Sequence, residues 1–371
     1  MKIVVSIIRI LTGALFIFSG LVKAIDPRGL AYKMQEFFEV FAREGYLPSL
    51  MDALSNHALT FSITMITLEV VLGVALLIGW QKKLTTWLLL LLMLLFTFLT
   101  SYVLFSGKIE ACGCFGDCIP ITPIQTFTKD IILLGFVVIL LFSPKYIRPI
   151  NKPLILTLIV LASMLSVLAL QFYVLNHLPS VDCLPFKKGN NLLELRKVPA
   201  NAVADEYAYS FIYEKNGEKK EYTAAALPDS TWTFSERKQT LVKKGSNNIP
   251  LINDFKLNSV DGVDSTEAIL NMPETYYLLF LEFPSNNTSA WIQHFKEFNT
   301  SFKGKAKVYV VTSQRGVAES LLAKNGIAVD AILTSDATAI KTAARSNPTL
   351  YSFKGPVVQK KWGWADMDDV K

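Results

Sequence analysis

Cysteine and histidine are scarce in this chain: 371 residues hold four of the first and three of the second. No cysteine lies beyond Cys183, so residues 184–371 cannot themselves cycle a disulfide. His57 and His294 have no partner in the sequence pattern, and His177 stands at the end of an apolar run. There is no block of like charge, no internal repeat and no low-complexity tract. The net charge of +6 is no nucleic-acid footprint, because the basic residues sit beside apolar runs, where membrane topology would place them.

What is abundant is apolar sequence, and it is unevenly spread. The composition is 51% hydrophobic, and residues 1–178 carry almost all of the long runs. Five are long enough to span a bilayer: 3–24, 59–79, 84–105, 127–142 with its flanks, and 154–175. The first lacks a small-residue cleavage site and carries Arg9 inside, so it reads as a retained span rather than a signal peptide. The compact basic loops, Lys82-Lys83 and Lys145 to Lys152, predict the cytoplasmic side. The N-terminus is then cytoplasmic, while residues 26–58, the loop after the third span and everything after the fifth lie outside. Residues 28–44 repeat apolar side chains at helical spacing (Leu30, Met34, Phe37, Phe38, Phe41). They predict a helix at the outer mouth, either on the membrane surface or on the bundle itself.

Three of the four cysteines fall in the short loop Cys112-Gly-Cys114-Phe-Gly-Asp117-Cys118, and the fourth, Cys183, follows the fifth span closely. The topology puts all four on one oxidising side, as disulfide chemistry requires. Cys112 and Cys114 can close only a small strained ring, the oxidising and labile kind. Cys114 with Cys118 is a more relaxed alternative, and exchange with Cys183 is within reach. Glu69, in the middle of the second span, costs on the order of 3 kcal/mol to insert and calls for a partner. Arg9 is the candidate, forming either a structural ion pair or a proton- or quinone-handling site. Lys23 and Asp130 near span ends can snorkel.

Beyond the fifth span, residues 203–223 alternate around Lys215-Asn216-Gly217-Glu218, a hairpin signal. From 249 the pattern alternates strand and helix, implying a sheet with helices on its faces. The fold class is therefore an α-helical membrane bundle, four helices plus a fifth, followed by a small β segment and an α/β domain. The divisions are 1–145, 146–178, 179–248 and 249–371.

The first four spans resemble the DoxX family and its MauE branch. The likeness rests on Arg9, Gly13, Phe16, Gly20, Lys23, Asp26-Pro27, Glu69, Gly73, Gly79 and the Cys112-Gly-Cys114-Phe-Gly-Asp117 string. It implies a four-helix bundle in a bacterial inner membrane, associated with disulfide formation or electron transfer outside the cytoplasm. A quinone is implied by family analogy; no cofactor is read from the residues. Residues 249–365 resemble thioredoxin-like domains of the TlpA and peroxiredoxin-related kind through Ile249-Pro250, Asp254-Phe255, Asp261-Gly262 and the Asn347-Pro348-Thr349 turn. Where that family carries Cys-x-x-Cys, this chain reads Pro284-Ser285-Asn-Asn-Thr288, so Ser285, Thr288 and Pro348 are expected to hold an extended client rather than react with it.

Three readings follow. The first is a thiol–disulfide or electron-transfer component in the bilayer, with Cys112, Cys114, Cys118 and Cys183 as redox candidates and a periplasmic protein client. The second is a membrane-anchored adaptor with structural disulfides. The third is a soft-metal protein using these thiolates and His177, although the spacing is not that of common zinc sites, and no metal ligand is assigned.

Overall fold

The computed structural model describes residues 1–109, 113–243, 245–283 and 288–370, with the side chain of Thr288 left out. Helix α1 (Lys2–Ala24) leads into α2 (Pro27–Arg43) and the short α3 (Pro48–Asn56). Next come α4 (Ala58–Ile78), α5 (Lys82–Ser106), α6 (Pro123–Phe142) and α7 (Pro153–Asn176). Helices α1, α4, α5, α6 and α7 are each long and apolar enough to cross a membrane.

Local sequence explains where these helices start and stop. The Asp26 carboxylate accepts from Gly29 N and Pro27 occupies the first turn of α2, so the chain turns from one helix straight into the next. Gly79 ends α4 at φ 74°. Thr122 and Gln125 form a capping box at the start of α6, with Pro123 behind it. Helices α1 and α4 meet through glycine: a Cβ on Gly73 would lie 2.8 Å from Gly13 O. The stripe of α2 is buried on the bundle, with Met34, Phe37 and Phe38 against Leu99, Val103 and Ile109. Of the two readings left open for it, the helix packs on the bundle itself, as a lid over its outer end.

The bundle has two distinct ends. At one, Ile150 N donates to Ile78 O, bringing the basic loop before α7 against the turn after α4. The other end carries α2, α3, the cysteine loop and the whole C-terminal head.

In the head, α8 (Leu192–Leu195) precedes a three-stranded antiparallel sheet of β1 (Glu206–Lys215), β2 (Glu218–Thr223) and β3 (Thr233–Lys243), ordered β2-β1-β3. Asn216 and Gly217 both have positive φ, the backbone a two-residue hairpin turn needs. The main domain follows with α9 (Thr266–Leu270), β4 (Thr275–Phe280), α10 (Thr288–Phe302), β5 (Lys307–Thr312) and α11 (Arg315–Lys324). It ends with β6 (Ala331–Thr334), α12 (Ala337–Ala343), β7 (Thr349–Lys354) and β8 (Val357–Gly363). The sheet order is β6-β5-β4-β7-β8, parallel across β4, β5 and β6 and antiparallel through β7 and β8. One face buries Phe186, Phe255, Phe280 and Phe353, and the other Trp291, Phe295, Phe298 and Leu350. This is a thioredoxin-like architecture.

The division at 248/249 needs correction. Gly189 N donates to Val358 O (2.8 Å) and Leu192 N to Pro356 O (2.9 Å), and Phe186 and Leu192 are core residues. Residues 186–195 thus belong to the main domain, and the three-stranded sheet is an excursion from it. Pairing between positions some 170 residues apart leaves no local pattern. Strand β3 was not expected either: it is exposed along its length and lacks the alternation that a half-buried strand shows.

Candidate functional site

Gly113 (φ 70°) and Gly116 (φ 59°) fold the cysteine loop into a turn closed by Gly116 N to Gly113 O, at 3.0 Å. Ser19 of α1 donates its hydroxyl to Cys114 O at 3.1 Å, which holds the loop on the bundle. Cys118 forms a disulfide with Cys183, with the two Cα atoms 5.0 Å apart. The relaxed Cys114–Cys118 alternative is therefore not the one adopted, and the bridge instead ties the loop to the base of the head. Cys112 lies outside the described residues.

Beneath the loop, four charges are gathered inside the bundle. Lys23 Nζ lies 2.5 Å from Glu69 Oε2, both side chains 4% exposed, and 4.9 Å from the centre of the Phe96 ring. Lys129 pairs with Asp130, which is fully buried and accepts from Thr100 Oγ1 at 3.1 Å. The Lys129 ammonium also lies 5.2 Å from the Phe115 ring centre and within electrostatic reach of Cys114 and Glu69. Cys114 and Lys23 share a cavity of about 20 Å³ closed by Met34 of the lid and by Phe96. A thiolate formed at Cys114 would thus face two ammonium groups, Lys23 buried and Lys129 half-buried, the environment that activates a thiol.

Three expectations fail here. Arg9 is not the partner of Glu69. Gly20 stands opposite Glu69 and Val70, whereas Arg9 stands opposite the end of α4, roughly 10–16 Å away along the helix pair. Arg9 instead donates to Leu76 O (2.8 Å), Leu77 O (2.6 Å) and Arg148 O (3.1 Å), tying α1 to the end of α4 and to the basic loop before α7. Lys23 and Asp130 do not snorkel to water, because α2 and α5 cover them. The signal was present in the sequence: a base and an acid, each in an apolar run, ask for one another.

The head closes over this end through Arg345, whose side chain is 7% exposed. Its Nη2 donates to Asp117 Oδ2 at 2.8 Å and its Nε lies 3.3 Å from Asp26 Oδ2. Burial works against the guanidinium charge, but Asp26 and Asp117 more than offset it and hold its pKa above the usual arginine value. Burial also pushes the Asp26 carboxyl up, against the pull of Arg345. Tyr32 of the lid donates to Glu282 Oε2 (2.5 Å), Lys341 to Gln35 Oε1 (2.9 Å) and Ser346 Oγ to Asn176 O (2.9 Å). His177 pairs with Asp366 at 2.6 Å and stacks on Tyr173, so its ring is already engaged.

These contacts correct the client surface. Pro348, after a cis peptide bond, is buried. Its neighbour Asn347 exchanges two 3.0 Å hydrogen bonds with Glu282, and Ser346 reaches α7. The edge of the thioredoxin-like domain expected to face a client lies against the chain's own bundle. Ser285 is outside the described residues, and nothing is said of the Thr288 side chain.

Residues 1–143 match the family described as "Methylamine utilisation protein MauE". The first four spans match this family, and α7 lies beyond the matched residues. Residues 207–244, close to the extent of β1–β3, match a domain of unknown function (DUF8463). Protein TlpB of Flavobacterium psychrophilum is 33% identical to the chain over 166 residues, 44% of this chain and 43% of that protein. The chain thus matches less than half the length of this relative. In the bundle, sequence reasoning left Lys23 and Asp130 as snorkelling residues and did not name Lys129; in the head it missed Arg345.

Proposed function

We propose that this chain is a membrane-held thiol–disulfide exchange component. Cys112 and Cys114 carry the chemistry, and the Cys118–Cys183 bridge is structural. The placement of Cys114 over the Lys23–Glu69 and Lys129–Asp130 pairs carries this reading. The lysines stabilise a Cys114 thiolate, and the carboxylates hold the lysines in place.

In exchange, the Cys114 thiolate attacks one sulfur of a client protein's disulfide, and the other client sulfur leaves as a thiolate that takes up a proton. Cys112 then attacks the Cys114 sulfur of the mixed disulfide and releases the second client thiol. Two electrons pass from the Cys112/Cys114 dithiol to the client. Run backwards, the same steps oxidise a client dithiol. A quinone ring does not fit beside Cys114 with the lid in place, since a cavity of about 20 Å³ is of the order of one water. No step passes through such a group. The basic loops at the far end favour a cytoplasmic location for that end, with the cysteines and head in the periplasm of a bacterial cell.

The adaptor reading loses its docking surface, because Pro348 is buried. The soft-metal reading loses two sulfurs to the Cys118–Cys183 bridge and His177 to Asp366.

The test is a redox titration of the whole protein in vesicles, read by differential alkylation and mass spectrometry. Cys112 and Cys114 should change state between roughly −180 and −300 mV, while Cys118 and Cys183 stay bridged below about −300 mV. A Cys112/Cys114 pair that does not change state anywhere in that range overturns the proposal.

A further inference from the structure

We propose that the seam between the membrane bundle and the head binds the phosphate head group of an anionic phospholipid. The seam holds a cavity of about 350 Å³, within the range of small-ligand pockets. Its lining is divided by chemistry. Leu59, Ile63 and Phe172 form an apolar wall from the facing ends of α4 and α7, while Arg28 supplies a cation and Thr60 a hydroxyl; the Thr64 hydroxyl is spent on Thr60 O at 2.8 Å. Asn347 and Trp364 of the head roof it.

Arg28 is the reason to expect an anion. Its Nε is buried with no hydrogen-bond partner, and no ion pair involves it among the described residues. The nearest carboxylate in sequence, Asp26, is already engaged by Arg345. Arg28 also occupies the first turn of α2, where the helix dipole disfavours a cation. A guanidinium that lines a cavity without a counter-ion of its own favours an anion beside it.

The position says which anion. Thr60 and Thr64 lie in the first turns of α4 and Phe172 in the last turns of α7, the same end of both spanning helices. That is the depth of lipid head groups. Phe172 is 56% exposed on the outer surface of the bundle, and Thr60 and Thr64 are exposed as well. A ligand reaching Arg28 with its charge would rest acyl chains along an apolar wall that continues down the bundle. A phosphate ester on two acyl chains has both parts.

The test uses the full chain in nanodiscs of phosphatidylglycerol mixed with phosphatidylcholine, released into detergent for native mass spectrometry. The parent should retain one phosphatidylglycerol with about tenfold preference over phosphatidylcholine. Arg28→Gln should remove that preference, while Arg43→Gln, an exposed arginine at the far end of α2, should keep it. Thr60→Trp fills the seam without touching the guanidinium and should also abolish retention, a readout that survives if Arg28→Gln fails to fold. Equal retention of the two lipids by the parent, or unchanged preference in Arg28→Gln or in Thr60→Trp, overturns the proposal. Displacement of the lipid by inorganic phosphate alone would make this a site for a free anion and would overturn it too.

Discussion

Arg345 of the head donates to Asp117, the residue beside Cys118, at 2.8 Å, while its Nε faces Asp26 at the junction of α1 with the lid. One buried side chain therefore joins the bundle, the lid and the disulfide loop.

Removing it should loosen all three. Arg345→Met leaves the Asp26 carboxylate buried without its partner, and breaking such a pair costs about 3–5 kcal/mol. A carboxyl whose folded-state pKa is raised binds its proton more tightly folded than unfolded, so folding gains as pH falls through that value. The loss should therefore be full near neutral pH and shrink as pH falls through the raised value towards the ordinary carboxylate range. Thermal unfolding of parent and variant across that range checks the sign; a deficit that grows on acidification refutes it.

Lys23 and Glu69 should behave as a unit. Lys23→Met or Glu69→Gln alone strands a charge or a polar group in the bundle and should cost about 3–5 kcal/mol and slow the alkylation of Cys114. The double variant should recover much of the stability but not the thiol reactivity. A double-mutant cycle, with alkylation rates measured alongside, separates the structural effect from the electrostatic one.

Cys118→Ser should free a thiol at Cys183 and at no other described position. The bridge closes a separation of 65 residues, so its loss should cost about 4 kcal/mol in the chain-entropy account. The head should then become easier to clip from the bundle in limited proteolysis. A parent that yields no Cys118–Cys183 cross-linked peptide on unreduced digestion would refute the pairing.

Gly73→Ala should be destabilising although alanine favours helix. Its Cβ would meet Gly13 O at 2.8 Å and Ile17 N at 3.1 Å, both backbone atoms that cannot swing away. Forcing α1 and α4 apart should cost about 1–3 kcal/mol in the detergent-solubilised protein. An unchanged unfolding midpoint would mean the helices do not approach as described.

The five spans, the lid stripe and the strands of the head other than β3 could be read from the chain, because each follows from burying apolar residues close in sequence. Glu69 could be singled out in the same way, since a lone acid in an apolar run is costly wherever the run folds. Its partner could not: both Arg9 and Lys23 lie on α1, and only the glycine-set register of α1 against α4 decides that Lys23 reaches it. The same holds for Cys118 with Cys183, for residues 186–195 completing the head, and for Pro348 turning towards the bundle. Periodicity reports what a segment must hide from water, whereas partner choice is a matter of distance in three dimensions.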